Sequence, residues 1–209
     1  MFVKRSEKPA IITTSGTISY NQVIKDVNRF MLHLGYATDE RVMIVSENRP
    51  EYIYALYGIW RSGGIAVPVD FMSVPEEISY IVKDCSPVAI FTSKDSVEKV
   101  NAAIALSGIE NIRVIVFEEV PENGYSKTEI DDIDFAHHQR TALLIYTSGT
   151  TGSPKGVMLS FANLLANVEK VVEAGYFSKD EVVLMILPLH HIFPIMGTVI
   201  AVFCGGGTT

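Results

Sequence analysis

The chain has 209 residues, 48% of them apolar and 20% charged, with a formal net charge of −7. That length can bury a real core in one large domain or two small ones, and the composition excludes a disordered chain. The acidic balance argues against a surface built for nucleic acid or anionic membrane, yet it leaves room for a local cationic loop.

The opening residues, Met1 to Lys8, contain no apolar signal-peptide core. Ala10–Thr14 and Thr17–Ser19 flank Ser15-Gly16 and read as a small hairpin. From Tyr20 to Leu34, Val23, Val27, Phe30, Met31 and Leu34 recur at helical spacing, and Gly35 stops that helix. Arg41–Ser46 reads as a buried strand, and Pro50 opens a helix that ends at Gly63-Gly64. Strands at Ile65–Val69, Val88–Phe91 and Ile112–Phe117 then alternate with helices at Pro75–Asp84 and Val97–Leu106. The alternation predicts an α/β fold with a mostly parallel sheet and helices on both faces. In such sheets ligands collect at the carboxyl ends of the strands.

Residues 118–140 change the composition: Glu118, Glu119, Glu122, Glu129, Asp131, Asp132 and Asp134 make an acidic run, which reads as a solvated connector. His137-His138 falls inside it and is read as part of that connector, not as a metal site. Beyond it, Thr141–Ile145 and Val157–Leu159 read as buried strands enclosing a turn-rich stretch. A helix follows over Ser160–Glu173, then a strand over Val182–Leu187, the His190-His191 turn, and an apolar helix from Pro194 to about Phe203. The uncharged segment Val182–Thr209 is broken by Pro188, His190, His191, Pro194 and several glycines, so it is a poor membrane span. Cys85 and Cys204 lie far apart without a Cys-x-x-Cys partner. They read as buried, reduced thiols, and the expected location is cytoplasmic.

Between the two strands lies Thr147-Ser148-Gly149-Thr150-Thr151-Gly152-Ser153-Pro154-Lys155-Gly156. Glycines let backbone amides form a concave anion site, to which hydroxyls add donors and Lys155 adds charge. A polyphosphate is the natural occupant. The stretch is not a Walker A loop, because Pro154 precedes Lys155 and Gly156 follows it where Ser or Thr should open a helix.

These residues resemble, nearly one for one, the phosphate-binding signature of the adenylate-forming (AMP-binding) superfamily, which includes acyl-CoA synthetases, insect-type luciferases and the adenylation domains of peptide synthetases. A second stretch, Leu187-Pro188-Leu189-His190-His191-Ile192-Phe193, resembles another motif of that superfamily at the expected distance. Asn48-Arg49-Pro50-Glu51, Gly63-Gly64 and Val67-Pro68-Val69-Asp70 look like landmarks from the amino-terminal third of acyl-CoA synthetases. Phe161 departs from the pattern, since many relatives carry His two positions before the residue seen here as Asn163.

The resemblance implies that Thr147, Ser148, Thr150, Thr151 and Lys155 hold the β- and γ-phosphates of ATP, with Gly149 and Gly152 admitting the backbone. It implies that His191 lines the site of the acid substrate. The implied function is an ATP- and Mg²⁺-dependent carboxylate–CoA ligase that passes through an acyl-adenylate, with a fatty acid as the expected substrate and coenzyme A as acceptor. The alternatives are an adenylation domain that loads a carrier protein and a non-catalytic binding protein of the same fold. Members of the superfamily run to several hundred residues. Residues 1–209 are therefore expected to be the truncated amino-terminal portion of the adenylation domain, inactive alone, with the catalytic Lys downstream. Apolar surface left uncovered is expected to favour self-association.

Overall fold

Short aliphatic and β-branched runs, each closed by a turn residue, make the strands, and apolar runs at helical spacing make the helices between them. The computed structural model describes residues 3–122, 131–135, 139–148 and 154–209. Strands β1 (Pro9–Thr13) and β2 (Gly16–Ser19) pair antiparallel, and α1 (Tyr20–Leu34) follows at once. The Ser19 hydroxyl caps it, accepting from the Gln22 N–H at 3.2 Å. The alternation then runs β3 (Arg41–Val45), α2 (Pro50–Arg61), β4 (Ile65–Val69), α3 (Pro75–Cys85), β5 (Ala89–Thr92), α4 (Val97–Ser107) and β6 (Arg113–Val116). After the acidic segment come β7 (Thr141–Ser148), β8 (Pro154–Ser160) and α5 (Phe161–Glu173). A helical turn, α6 (Ile192–Pro194), runs through a π-helical stretch, Ile195–Ile200, into α7 (Ala201–Gly205).

The main sheet has the order β6-β5-β3-β4-β7-β8 and is parallel except for β8, which returns antiparallel along β7. Side chains alternate across it as strand geometry requires. Val42, Ile44, Leu143 and Ile145 join the cluster beneath α1 and α2, whereas Met43, Val45, Leu144 and Tyr146 join the one beneath α3 and α4. The expected α/β architecture with both faces covered is what the chain adopts.

Three local expectations need correction. The second strand of the loop element is an edge strand, not a buried one, with Val157 44% and Met158 71% exposed. Its apolar residues matched the pattern of a core strand, but β8 closes the sheet on that side. The strand expected over Val182–Leu187 forms only at its start, where the Val183 N–H donates to the Thr208 carbonyl at 2.8 Å. Thr209 in turn pairs with β1, giving and receiving hydrogen bonds at Ala10 and Ile12. Beyond that point Leu184 and Ile186 alternate outward, 80% and 75% exposed.

The acidic segment is also more than a solvated connector. Val120, Ile133 and Phe135 are buried in the main core, and Glu118 pairs with Arg49. Phe135 stacks on Phe161, with centroids 4.9 Å apart, and Trp60 meets both rings edge-on. The Phe161 departure thus docks the start of α5 through an aromatic cluster. His137 and His138 lie outside the described residues. No helix among the described residues is long and apolar enough to cross a membrane.

Candidate active site

The turn-rich stretch lies between two strands, β7 and β8, that pair antiparallel. Ser148 lies opposite Pro154, Thr147 opposite Lys155 and Tyr146 opposite Gly156. Gly149, Thr150, Thr151 and Gly152 fall outside the described residues. The absence of a following helix agrees with the exclusion of a Walker A loop. Thr147 and Lys155 are both exposed, and directly opposed residues of an antiparallel pair project from the same face. Lys155 forms no ion pair with any described residue, so its charge is available to a ligand.

Tyr146 projects to the other face, where its hydroxyl donates to the Asp84 carboxylate at the end of α3. Burial, reinforced by that carboxylate, pushes the Tyr146 hydroxyl well above its ordinary pKa. Its ring lies over Gly156, where a Cβ would come within 2.8 Å of Leu144 Cδ1 and 3.4 Å of Tyr146 Cζ. A side chain there would have to displace the end of Leu144. Neighbouring Cys85 is buried, which pushes its thiol up to about 11, as suits an inert packed cysteine.

β4 and β7 are adjacent and parallel, with Ala66 opposite Leu143. Asp70, just past the carboxyl end of β4, and Thr147, near the carboxyl end of β7, therefore lie at the same edge of the sheet. Asp70 Oδ1 accepts from the Met72 N–H at 2.8 Å and lies 3.7 Å from His190 Nδ1. The His190 side chain is only 12% exposed. Burial lowers its pKa, His191 lowers it further and Asp70 opposes the change, so a neutral imidazole is favoured. His191 is exposed at the N-cap of α6, and the two rings sit 4.0 Å apart. Adjacent histidines usually point apart, but the turn brings these together. The hairpin mouth and Asp70, which seats the histidine turn, thus both lie at the carboxyl edge of the sheet, the place expected for a ligand. Among the described residues no group of three or more His, Cys, Asp or Glu could hold a metal.

Beside α6 an apolar cavity of about 500 Å³ lies between β8, α5 and the π-helical stretch. Leu164, Val168, Phe177, Ile192 and Met196 line it, with Asn163 and Asn167 as its polar groups. Among the described residues no charged side chain lines it.

At the carboxyl ends of β3 and β6, Arg49 is the hub of a charge cluster. Its guanidinium reaches Glu118 at 2.6 Å, Glu51 at 2.9 Å and Glu47 at 3.2 Å. Burial opposes ionisation of Glu47 and Glu118. Hydrogen bonds from backbone, from Ser93 and Ser46 to Glu47, and from Arg49 outweigh it, holding both carboxyls below their ordinary range. Depressed carboxyl pKa values stabilise the fold above the unfolded pKa, and that contribution is lost as pH falls through the folded pKa. Arg49→Met is expected to cost about 1–2 kcal/mol at pH 7, the groups being partly exposed. The gap to the parent should close as pH falls below about 4. Urea denaturation at pH 7 and pH 3 checks this; a pH-independent gap would count against the cluster as its source.

Sequence reasoning had not assigned Asp70, His190, Asp84 or Asn48 any role in the site. Asp70 and Asn48 stood out only as landmarks, and the Tyr146–Asp84 contact joins elements far apart in sequence.

Comparison with known proteins shows the family and the fold. The family model described as "AMP-binding enzyme" matches residues 2–209. A mitochondrial malonate–CoA ligase of Xenopus laevis is 31% identical over 180 residues, covering 82% of this chain and 30% of that protein. A 4-coumarate–CoA ligase of Oryza sativa is 31% identical over 186 residues, covering 84% of this chain and 33% of that protein. Among solved structures, ATP-bound MatB from Rhodopseudomonas palustris superposes with a TM-score of 0.81 at 24% identity, over 97% of this chain and 41% of that one. That likeness shows the fold. The chain spans about 30% of the length of the first curated relatives it matches.

Proposed function

The chain belongs to the AMP-binding enzyme family, and from that premise we propose that the protein carrying it is an ATP-dependent carboxylate–CoA ligase. The observation that carries this reading is the exposed Thr147–Lys155 pair at the hairpin mouth, at the carboxyl edge of the sheet. In adenylation a carboxylate attacks the α-phosphorus of ATP and pyrophosphate departs with growing charge, so preorganised donors and cations matter more than a protein nucleophile. Lys155 supplies the charge and Thr147 a hydroxyl, with Ser148, Gly149, Thr150, Thr151 and Gly152 completing the phosphate cradle. Mg²⁺, when bound with the nucleotide, would neutralise phosphate charge. His191 orients the acid, and His190, seated against Asp70, props its ring.

The acid we propose is a monocarboxylate with an apolar chain. The cavity beside α6 supports this, since its size and apolar lining suit a small-molecule tail and, among the described residues, it offers no cation to a second carboxylate. The named malonate–CoA ligase relatives act on a dicarboxylate; the apolar lining is the reason to expect a different substrate here. Coenzyme A as acceptor is supported by the curated relatives' names. Because the chain covers about 30% of those relatives, we propose that residues 1–209 alone do not turn over.

Carboxylate-dependent ATP–pyrophosphate exchange on the full-length protein tests the reading. Acids from acetate to palmitate, 4-coumarate and malonate are compared. Exchange is expected with one class of apolar-chain monocarboxylate and to be weak with malonate. Exchange with malonate alone would overturn the substrate assignment, and none with any acid would favour the non-catalytic alternative.

A further inference from the structure

The turn that carries His190 and His191 is held to the sheet by very few groups. Leu189 is its only deeply buried side chain before α6, at 1% exposure, while Leu187 is 44% exposed and His191 is open to solvent. Pro188, at its centre, has no N–H to give. A segment of this kind needs its backbone polar groups satisfied from elsewhere.

Asn48 supplies them. Its Nδ2 amide donates to the Leu187 carbonyl at 2.8 Å, and its Oδ1 accepts from the Leu189 N–H at 2.9 Å. One side-chain amide therefore pairs with the carbonyl before Pro188 and the N–H after it, as a neighbouring strand would. Tyr52, on the first turn of α2, adds a buried hydroxyl that donates to the Leu189 carbonyl at 3.0 Å. The turn closes on itself weakly, through the His191 N–H to the Pro188 carbonyl at 3.3 Å. Asn48 reaches it across 139 and 141 residues of sequence. It sits in the loop between β3 and α2, at the same carboxyl edge as Asp70. Only an amide of this length offers one donor and one acceptor in a fixed plane, so Asp, Ser and Leu each lose part of the match.

We propose that Asn48 is a positioning residue for the acid substrate, acting through the His190–His191 turn and not on the phosphates. The inference rests on the ligase reading above and deepens it. Among the described residues Asn48 forms no hydrogen bond with Thr147 or Lys155; its side-chain hydrogen bonds go to the segment that presents His191. Removing it lets the turn drift while the nucleotide groups stay in place.

The test compares the parent with Asn48→Asp and Asn48→Ala in full-length protein, measuring exchange with varied acid at saturating ATP and with varied ATP at saturating acid. Removing one hydrogen-bonding group is expected to raise KM for the acid roughly tenfold while KM for ATP changes less than about twofold. Asn48→Asp adds a signature that a merely structural role would lack. At neutral pH the introduced carboxylate repels the Leu187 carbonyl. Protonated, it regains a donor, so its acid KM should fall toward that of the parent as pH drops toward 5. Asn48→Ala has no such group and should show no recovery, and thermal melting of each variant confirms that it is folded. Equal rises in both KM values, or an acid KM unchanged in both variants, would overturn the proposal while leaving the ligase reading intact. A parent inert with every acid would overturn both.

Discussion

Replacing Lys155 with Met is expected to lower carboxylate-dependent pyrophosphate exchange by roughly 10²–10³-fold, with thermal unfolding unchanged. Both halves follow from where the residue sits. Lys155 is exposed on an edge strand and pairs with no described carboxylate, so its removal strands no partner and opens no cavity. Surface changes of that kind usually stay within about 0.5 kcal/mol of the parent. Its in-register neighbour is Thr147, beside the loop that would cradle the phosphates. A cation aimed at charge that grows as pyrophosphate leaves acts on the transition state more than on bound ATP, so the loss should appear mainly in turnover. Lys155→Arg keeps the charge but spreads it over a planar fork, and should recover only part of the rate. Exchange within about threefold of the parent in Lys155→Met would remove Lys155 from the phosphate site, since one lost charged contact should cost more.

How much of this was legible in the sequence depends on how local the cause is. Helix α1 runs over Tyr20–Leu34 as its spacing predicts, because the apolar stripe lies within it and its caps, Ser19 and Gly35, directly flank it. β4 likewise coincides with Ile65–Val69. The Thr147–Gly156 stretch stood apart by its residue types, and the strands on either side of it pair as a hairpin. Burial was less readable. Val157-Met158-Leu159 reads as core, yet position in the sheet decides exposure, and β8 is at the edge. Leu184 and Ile186 are a further case, being apolar residues whose pairing ends at Val183. The contacts that build the site were the least legible. Asn48 to Leu187 and Leu189, His190 to Asp70, and Tyr146 to Asp84 each join elements that only the folded sheet brings together.

Phe30→Ala is expected to destabilise the protein by about 3–5 kcal/mol while leaving the KM for ATP and for the acid unchanged. Phe30 is fully buried on α1, and its ring meets Phe91 of β5 at 5.7 Å, Tyr54 of α2 at 5.8 Å and Phe117 at 5.9 Å. Truncation therefore removes contacts to three separate elements. The hole would also resist collapse. Phe91 and Phe117 already stack on each other, and α1 and α2 are already at closest approach where a Cβ on Gly58 would lie 3.1 Å from the Met31 nitrogen. Rigid walls leave the cavity open, which places the cost toward the upper end of the range. Phe30→Leu, which keeps most of the volume, should cost well under half as much. Urea denaturation reads the loss, and exchange kinetics on the folded fraction read the site. The two substitutions then form opposite cases: Lys155→Met empties the site of charge without touching the core, and Phe30→Ala weakens the core without touching the site. A Phe30→Ala protein whose KM values moved in step with its stability would mean that the carboxyl edge is not held independently of the α1 packing. In that case the effect of Asn48 on the histidine turn would have to be separated from global loosening before it could be assigned to the turn.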